Sequence, residues 1–164
     1  MTLIKGRLKP AKESASRRHD RICVSLFEQA DQIVPWVSSE HSKLVGWQDN
    51  FEWGAPQLEY PILKPGRGSR DPRTIGYVDM LCFGEMQKLK SCMLFEVKPE
   101  ILSLGELLRQ VHRYKECITR YCGVCDKFDG LLAVAVVSAS NQYADVLREH
   151  GIVFVDTAWL REAA

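Results

Sequence analysis

The chain has 164 residues, enough for one domain to bury most of its apolar surface in a single core. With 46% hydrophobic and 26% charged residues and a net charge of +1, it carries no global field that would announce a nucleic-acid or membrane partner. The opening "MTLIKGRLKPAK" lacks the apolar stretch of a secretory signal, and "LLAVAVV" (131–137) is far too short to span a bilayer. A cytoplasmic location with no membrane partner is therefore the expectation, with the six cysteines reduced.

Residues 1–12 read as a basic arm and 13–164 as one domain. Seven bases against Glu13 and Asp20 crowd residues 1–21, a run that serves either as a solvated face or as a phosphate contact. Ile22, Leu26, Ala30 and Ile33 recur at helical spacing and predict an amphipathic helix over 13–34, stopped by Pro35. The stretch 35–56 shows no period and reads as an insertion rich in tryptophan, with Trp36, Trp47, Phe51 and Trp53. "QLEYPIL" (57–63) predicts a strand, and "KPGRGSRDPR" (64–73) a turn or loop.

Two further strands, "TIGYVDMLCF" (74–83) and "CMLFEVK" (92–98), follow with a hairpin-like connection. A helix fits 103–121, its apolar face made by Leu104, Leu107, Leu108, Val111 and Ile118. "GLLAVAVVS" (130–138) is apolar throughout, as a strand covered on both faces would be. A helix over 141–151, a strand over 152–156 and a short terminal helix in "AWLREAA" complete the order. The pattern is that of an α/β domain with a mixed central sheet, an antiparallel meander followed by parallel crossovers.

Within "LFEVK" (94–98), period 2 puts Glu96 and Lys98 on one face, inside an otherwise apolar strand. Asp79, on the preceding strand, falls on the face of Tyr77 and Leu81. A register that sets Asp79 beside Glu96 would gather two carboxylates and an ammonium. Adjacent carboxylates repel and raise at least one pKa unless a cation lies between them. A hard divalent ion such as Mg2+ answers that need with carboxylates, a main-chain carbonyl and waters. Lys98 beside it could orient or help deprotonate water, or offset charge on a phosphoryl group. On the following helix Gln110 and Tyr114 stand four apart, bordering the apolar arc.

Together "GYVDML" (76–81), "FEVK" (95–98) and "QVHRY" (110–114) resemble the PD-(D/E)XK nuclease superfamily, and its RecB-like branch most closely, with G-x-x-D, (D/E)-x-K and Q-x-x-x-Y in that order. "EVKP" with "LEYPI" upstream is also similar to transposon-encoded endonuclease subunits. The resemblance implies a restriction-endonuclease-like three-layer domain, a mixed sheet flanked by helices. It implies a Mg2+-dependent deoxyribonuclease in which Mn2+ can substitute. Asp79, Glu96 and the Val97 carbonyl would hold the metal, Lys98 would assist catalysis, and Gln110 and Tyr114 would support the site. A glutamate from the first helix often joins the ligands, with Glu28 the candidate here and Glu59 a second. DNA is the implied partner. No separate DNA-reading domain is apparent, so a homodimer or a partner protein would supply specificity. In the alternative reading the chain is a nuclease-like DNA-binding or docking subunit of a larger repair, defence or transposition complex.

Arg67, Arg70 and Arg73 lead into the Asp79 strand, and with Arg17 and Arg18 they are the candidate phosphate contacts. The tryptophans are either a stacking platform for bases or anchors for a long loop. Cys117, Cys122 and Cys125 form C-x4-C-x2-C, but an iron–sulfur cluster needs a fourth thiolate from Cys23, Cys82 or Cys92 and is not expected. His19, His41, His112 and His150 receive no catalytic role.

Overall fold

In the computed structural model, which describes residues 14–46, 52–65, 72–86, 89–120 and 128–160, the N-terminal amphipathic stretch forms two helices. Helix α1 (Ala15–Glu28) opens at Ser14, whose hydroxyl accepts from the Arg17 amide at 3.3 Å. Gln29 breaks the helical run (φ −109°, ψ 15°), and α2 (Ala30–Val45) begins at once. Pro35 does not stop the helix but lies exposed inside α2. A proline there removes a helical donor, which costs about 3 kcal/mol or more in a helix interior. Burial of Ile33, Val34 and Val37 offsets this, at roughly 1.5–3 kcal/mol for each fully buried side chain. Much of the expected insertion is thus helix as far as Val45, and strand again from Glu52.

Five strands form one sheet in the order β1 (Glu52–Pro65), β2 (Pro72–Met86), β3 (Leu89–Val97), β4 (Phe128–Ser138) and β5 (Ile152–Asp156). The first three are antiparallel neighbours, while β3, β4 and β5 run parallel. β1 holds Pro56, Pro61 and Pro65 and lies at the sheet edge, where a missing donor disturbs least. The crossover from β3 to β4 is α3 (Leu104–Arg120), and that from β4 to β5 contains α4 (Ala144–Glu149). The terminal stretch predicted as helix is a short 3-10 turn, Thr157–Trp159, in its described part. No helix among the described residues is long and apolar enough to cross a membrane.

The sheet separates two apolar clusters. Ile22, Leu26, Val34 and Val37 of α1 and α2 meet Met93, Phe95 and Val97 of β3 on one side. Leu107, Val111 and Ile118 of α3, with Leu147 of α4, meet Cys92 and Leu94 on the other. β3 therefore keeps strict alternation, as period 2 requires. β2 does not. Met80 joins the α1–α2 cluster, whereas Val78, two residues earlier, joins the α3 cluster together with Leu81. On β1, between the pairs Leu58–Met80 and Tyr60–Val78, Glu59 takes a left-handed φ of 50°. The pleat thus changes face at Asp79, and uniform alternation from Tyr77 to Leu81 fails there.

Candidate active site

Strands β2 and β3 pair as far as Met80–Phe95. One step further Asp79 and Glu96 would stand opposite each other, and the ladder is replaced by a side chain. Asp79 Oδ2 accepts the Val97 amide at 2.6 Å. The carboxylate satisfies a main-chain donor that the parting strand no longer serves. β3 stays anchored on its other side, where Glu96 and Val97 pair with Val136 and Val137 and the Lys98 amide donates to the Val137 carbonyl at 2.9 Å.

Glu96 is 2% exposed. Its Oε1 accepts from Gln110 Nε2 and from Lys98 Nζ, both at 2.7 Å. Gln110 also donates to the Tyr114 hydroxyl at 3.1 Å, and that hydroxyl donates to the Tyr77 carbonyl at 3.2 Å. The four-residue spacing on α3 sets the amide and the phenol side by side, and the phenol ties α3 to β2. Gly76 makes room for it: a Cβ there would lie 2.8 Å from the Tyr114 hydroxyl oxygen. The glycine of "GYVD" and the tyrosine of "QVHRY" are thus one contact.

Burial, and then the Asp79 charge, push the Glu96 carboxyl up to about 7, against the opposing pull of Lys98 and Gln110. Burial likewise raises the Tyr114 phenol. Glu96 Oε2 is buried without a hydrogen-bond partner among the described residues. A buried acceptor left unpaired costs about 1–3 kcal/mol, and more if charged. A proton or a cation removes that cost. An orphaned buried oxygen on a carboxylate that also feels the Asp79 charge is the kind of group a divalent ion with oxygen ligands would satisfy.

The first helix reaches this point through a residue that motif reading left without a role. His19 Nε2 lies 3.0 Å from Asp79 Oδ1, and Cys23, one turn on, places Sγ 3.8 Å from the His19 ring nitrogens. Its thiol is pushed up to about 12 by burial and then by Asp79. The signal was present in the spacing: His19, Ile22, Cys23 and Leu26 share one helix face, and Ile22 and Leu26 are buried. Glu28, by contrast, is exposed at the end of α1, and it is His19 that α1 sets against Asp79. Glu59 is exposed on β1, near enough for its charge to bear on Cys23.

Arg17 and Arg18 are exposed on the first turn of α1, and Arg73 is exposed on β2. Arg67 and Arg70 lie outside the described residues. Cys122 and Cys125 do so as well, while Cys117 is buried in the α3 cluster. Cys82 and Cys92 belong to opposite clusters, so the sheet divides two of the candidate fourth thiolates. Trp36 meets Trp159 edge-on at 4.6 Å, and Trp53 packs on the α1–α2 cluster with its ring over Gly84. Both act as anchors; Trp47 and Phe51 lie outside the described residues. No family model, curated protein or solved structure matches this chain.

Proposed function

We propose that the chain is a Mg2+-dependent deoxyribonuclease, its domain of the three-layer restriction-endonuclease-like kind, acting on DNA phosphodiester bonds. One observation carries the reading: Glu96, Lys98, Gln110 and Tyr114 form a continuous set of contacts, joined by Asp79 through the Val97 amide, around a buried carboxylate oxygen without a partner among the described residues. Asp79, Glu96 and the Val97 carbonyl would hold the ion, with Mn2+ able to replace Mg2+. Such an ion lowers the pKa of bound water and neutralises charge on the phosphoryl oxygens.

The chain's own residues do the rest. Gln110 fixes the Glu96 carboxylate by occupying Oε1, which leaves Oε2 for the cation. Tyr114 holds Gln110, and Tyr77 holds Tyr114. Lys98 sits at the rim with a third of its side chain exposed, where its ammonium can meet the attacking water or the charge growing on the phosphate. Arg17, Arg18 and Arg73 are exposed and available to neighbouring phosphates. A second copy or a partner protein would supply sequence specificity.

The test is cleavage of supercoiled and linear DNA with Mg2+, with Mn2+ and with chelator. Metal-dependent cleavage is expected, reduced roughly a hundredfold or more in Asp79→Ala and in Lys98→Ala, the scale of losing one electrostatic stabiliser. Cleavage that survives both substitutions would overturn the site. DNA binding without metal-dependent cleavage would assign the chain to a docking subunit instead.

A further inference from the structure

On the α1 side of Asp79 lies a second donor set of different chemistry. His19, Cys23 and Asp79 each offer one ligand atom, and these atoms lie within 4.8 Å of one another. His19 and Cys23 are four apart on one helix, so a single rigid element fixes their spacing. Zinc binds imidazole nitrogen at about 2.0–2.1 Å and thiolate at about 2.3 Å, so neighbouring donors around a tetrahedral ion stand roughly 3.3–3.6 Å apart. The observed 3.0 Å from His19 to Asp79 and 3.8 Å from Cys23 to His19 bracket those edges. Thiolate and imidazole favour zinc and its transition-metal neighbours, whereas Mg2+ takes oxygen donors.

We propose that His19, Cys23 and Asp79 form a three-ligand site for a borderline transition ion, Zn2+ foremost, which shares Asp79 with the oxygen-ligand site at Glu96. Among the described residues no fourth ligand joins them, which would leave one position for water or substrate, as in catalytic zinc sites. Binding forms a metal–sulfur bond as the Cys23 S–H bond breaks, and the proton passes to solvent. Because Asp79 serves both sites, zinc and Mg2+ weaken each other's binding, each by the same factor. The zinc site rests on its own geometry; only the sharing rests on the nuclease reading.

Co2+ is the probe, as a spectroscopic stand-in for Zn2+, titrated into the full chain under reducing conditions. A thiolate-to-cobalt charge-transfer band with tetrahedral d–d bands is expected, lost on adding Zn2+. The band should persist in Cys122→Ser/Cys125→Ser and vanish in Cys23→Ser, with Zn2+ affinity at least tenfold weaker in Cys23→Ser and in His19→Ala. In the wild-type chain, where folding is not in question, Zn2+ should protect Cys23 from alkylation as mapped by mass spectrometry. Absence of the band, its survival in Cys23→Ser, its loss in Cys122→Ser/Cys125→Ser, or undiminished alkylation of Cys23 would each overturn the site. None of these readouts needs cleavage activity, so a failed nuclease assay and a failed zinc site are told apart.

Discussion

Among the described residues Glu96 has two donors on one carboxylate oxygen and none on the other. With its pKa raised from 4.5 to about 7, the folded chain holds this proton longer than the unfolded chain does. Between those two values the unfolded state is ionised while the folded state is still protonated, so stability falls as pH rises through that window and stays lower above it. Each unit of pKa difference corresponds to about 1.4 kcal/mol. In chelator, Glu96→Gln should therefore raise stability at pH 8 by roughly 1–3 kcal/mol and flatten the pH dependence, because a neutral amide has no charge to desolvate. Urea melts at pH 5 and pH 8 read this directly. A variant less stable than wild type at pH 8 would mean that Lys98 and Gln110 outweigh burial. The same substitution should abolish metal-dependent cleavage, the trade expected where a site is kept strained for function.

Contacts from β2, β4 and α3 hold that residue on β3, and one close joint between two of these elements is Gly76 on β2 against Tyr114 on α3. A Cβ at Gly76 would meet the phenol oxygen at 2.8 Å, so Gly76→Ala must displace Tyr114, and with it Gln110 and its hold on Glu96. Overpacking of this kind costs about 1–3 kcal/mol. Gly76→Ala should lower stability by that amount and slow cleavage, and adding Tyr114→Phe should restore part of the stability but not the hydrogen bond to Gln110. A double-mutant cycle on Tm and rate measures the coupling, and simple additivity would refute the joint. The residues in this joint were legible as sequence motifs, but their contact was not, since it depends on how α3 lies across β2. Strand β3 and helix α3 were legible because their periods are unbroken, and β4 because it is a short run apolar throughout. The division of α1 from α2 was not, because Gln29 is no helix breaker by type and Pro35 is tolerated where burial on the opposite face is large. The change of face at Asp79 was not legible because the residue pattern of β2 alternates uniformly, and the left-handed residue opposite it, Glu59, lies on the neighbouring strand. His19 was missed for a related reason: its partner lies on another element 60 residues away.

At the scale of the whole chain, the site gathers at the carboxyl end of β3, where β2 diverges and helices from both sides of the sheet arrive. His19 comes from α1 and Gln110 from α3, so both apolar clusters set its geometry. Carboxyl ends of parallel strands are where open α/β sheets place their ligands, since the connecting segments part there. An ion held there by Asp79 and Glu96 would tie β2 to β3 beyond the last ladder pair, and its binding would not survive unfolding of either strand. Ligation of the folded state alone stabilises by about 2.7 kcal/mol at a hundredfold excess over Kd. For a chain of this size that corresponds to a rise in Tm of roughly 5–10 °C. Thermal melts should show this rise with Mg2+ or Mn2+ and not with a monovalent salt at equal ionic strength, because screening alone supplies no bridge between the carboxylates. Asp79→Ala removes one side of the bridge and should abolish the rise. If that variant gained as much as wild type, the ion would be bound elsewhere, and the orphaned oxygen of Glu96 would answer only to its own proton.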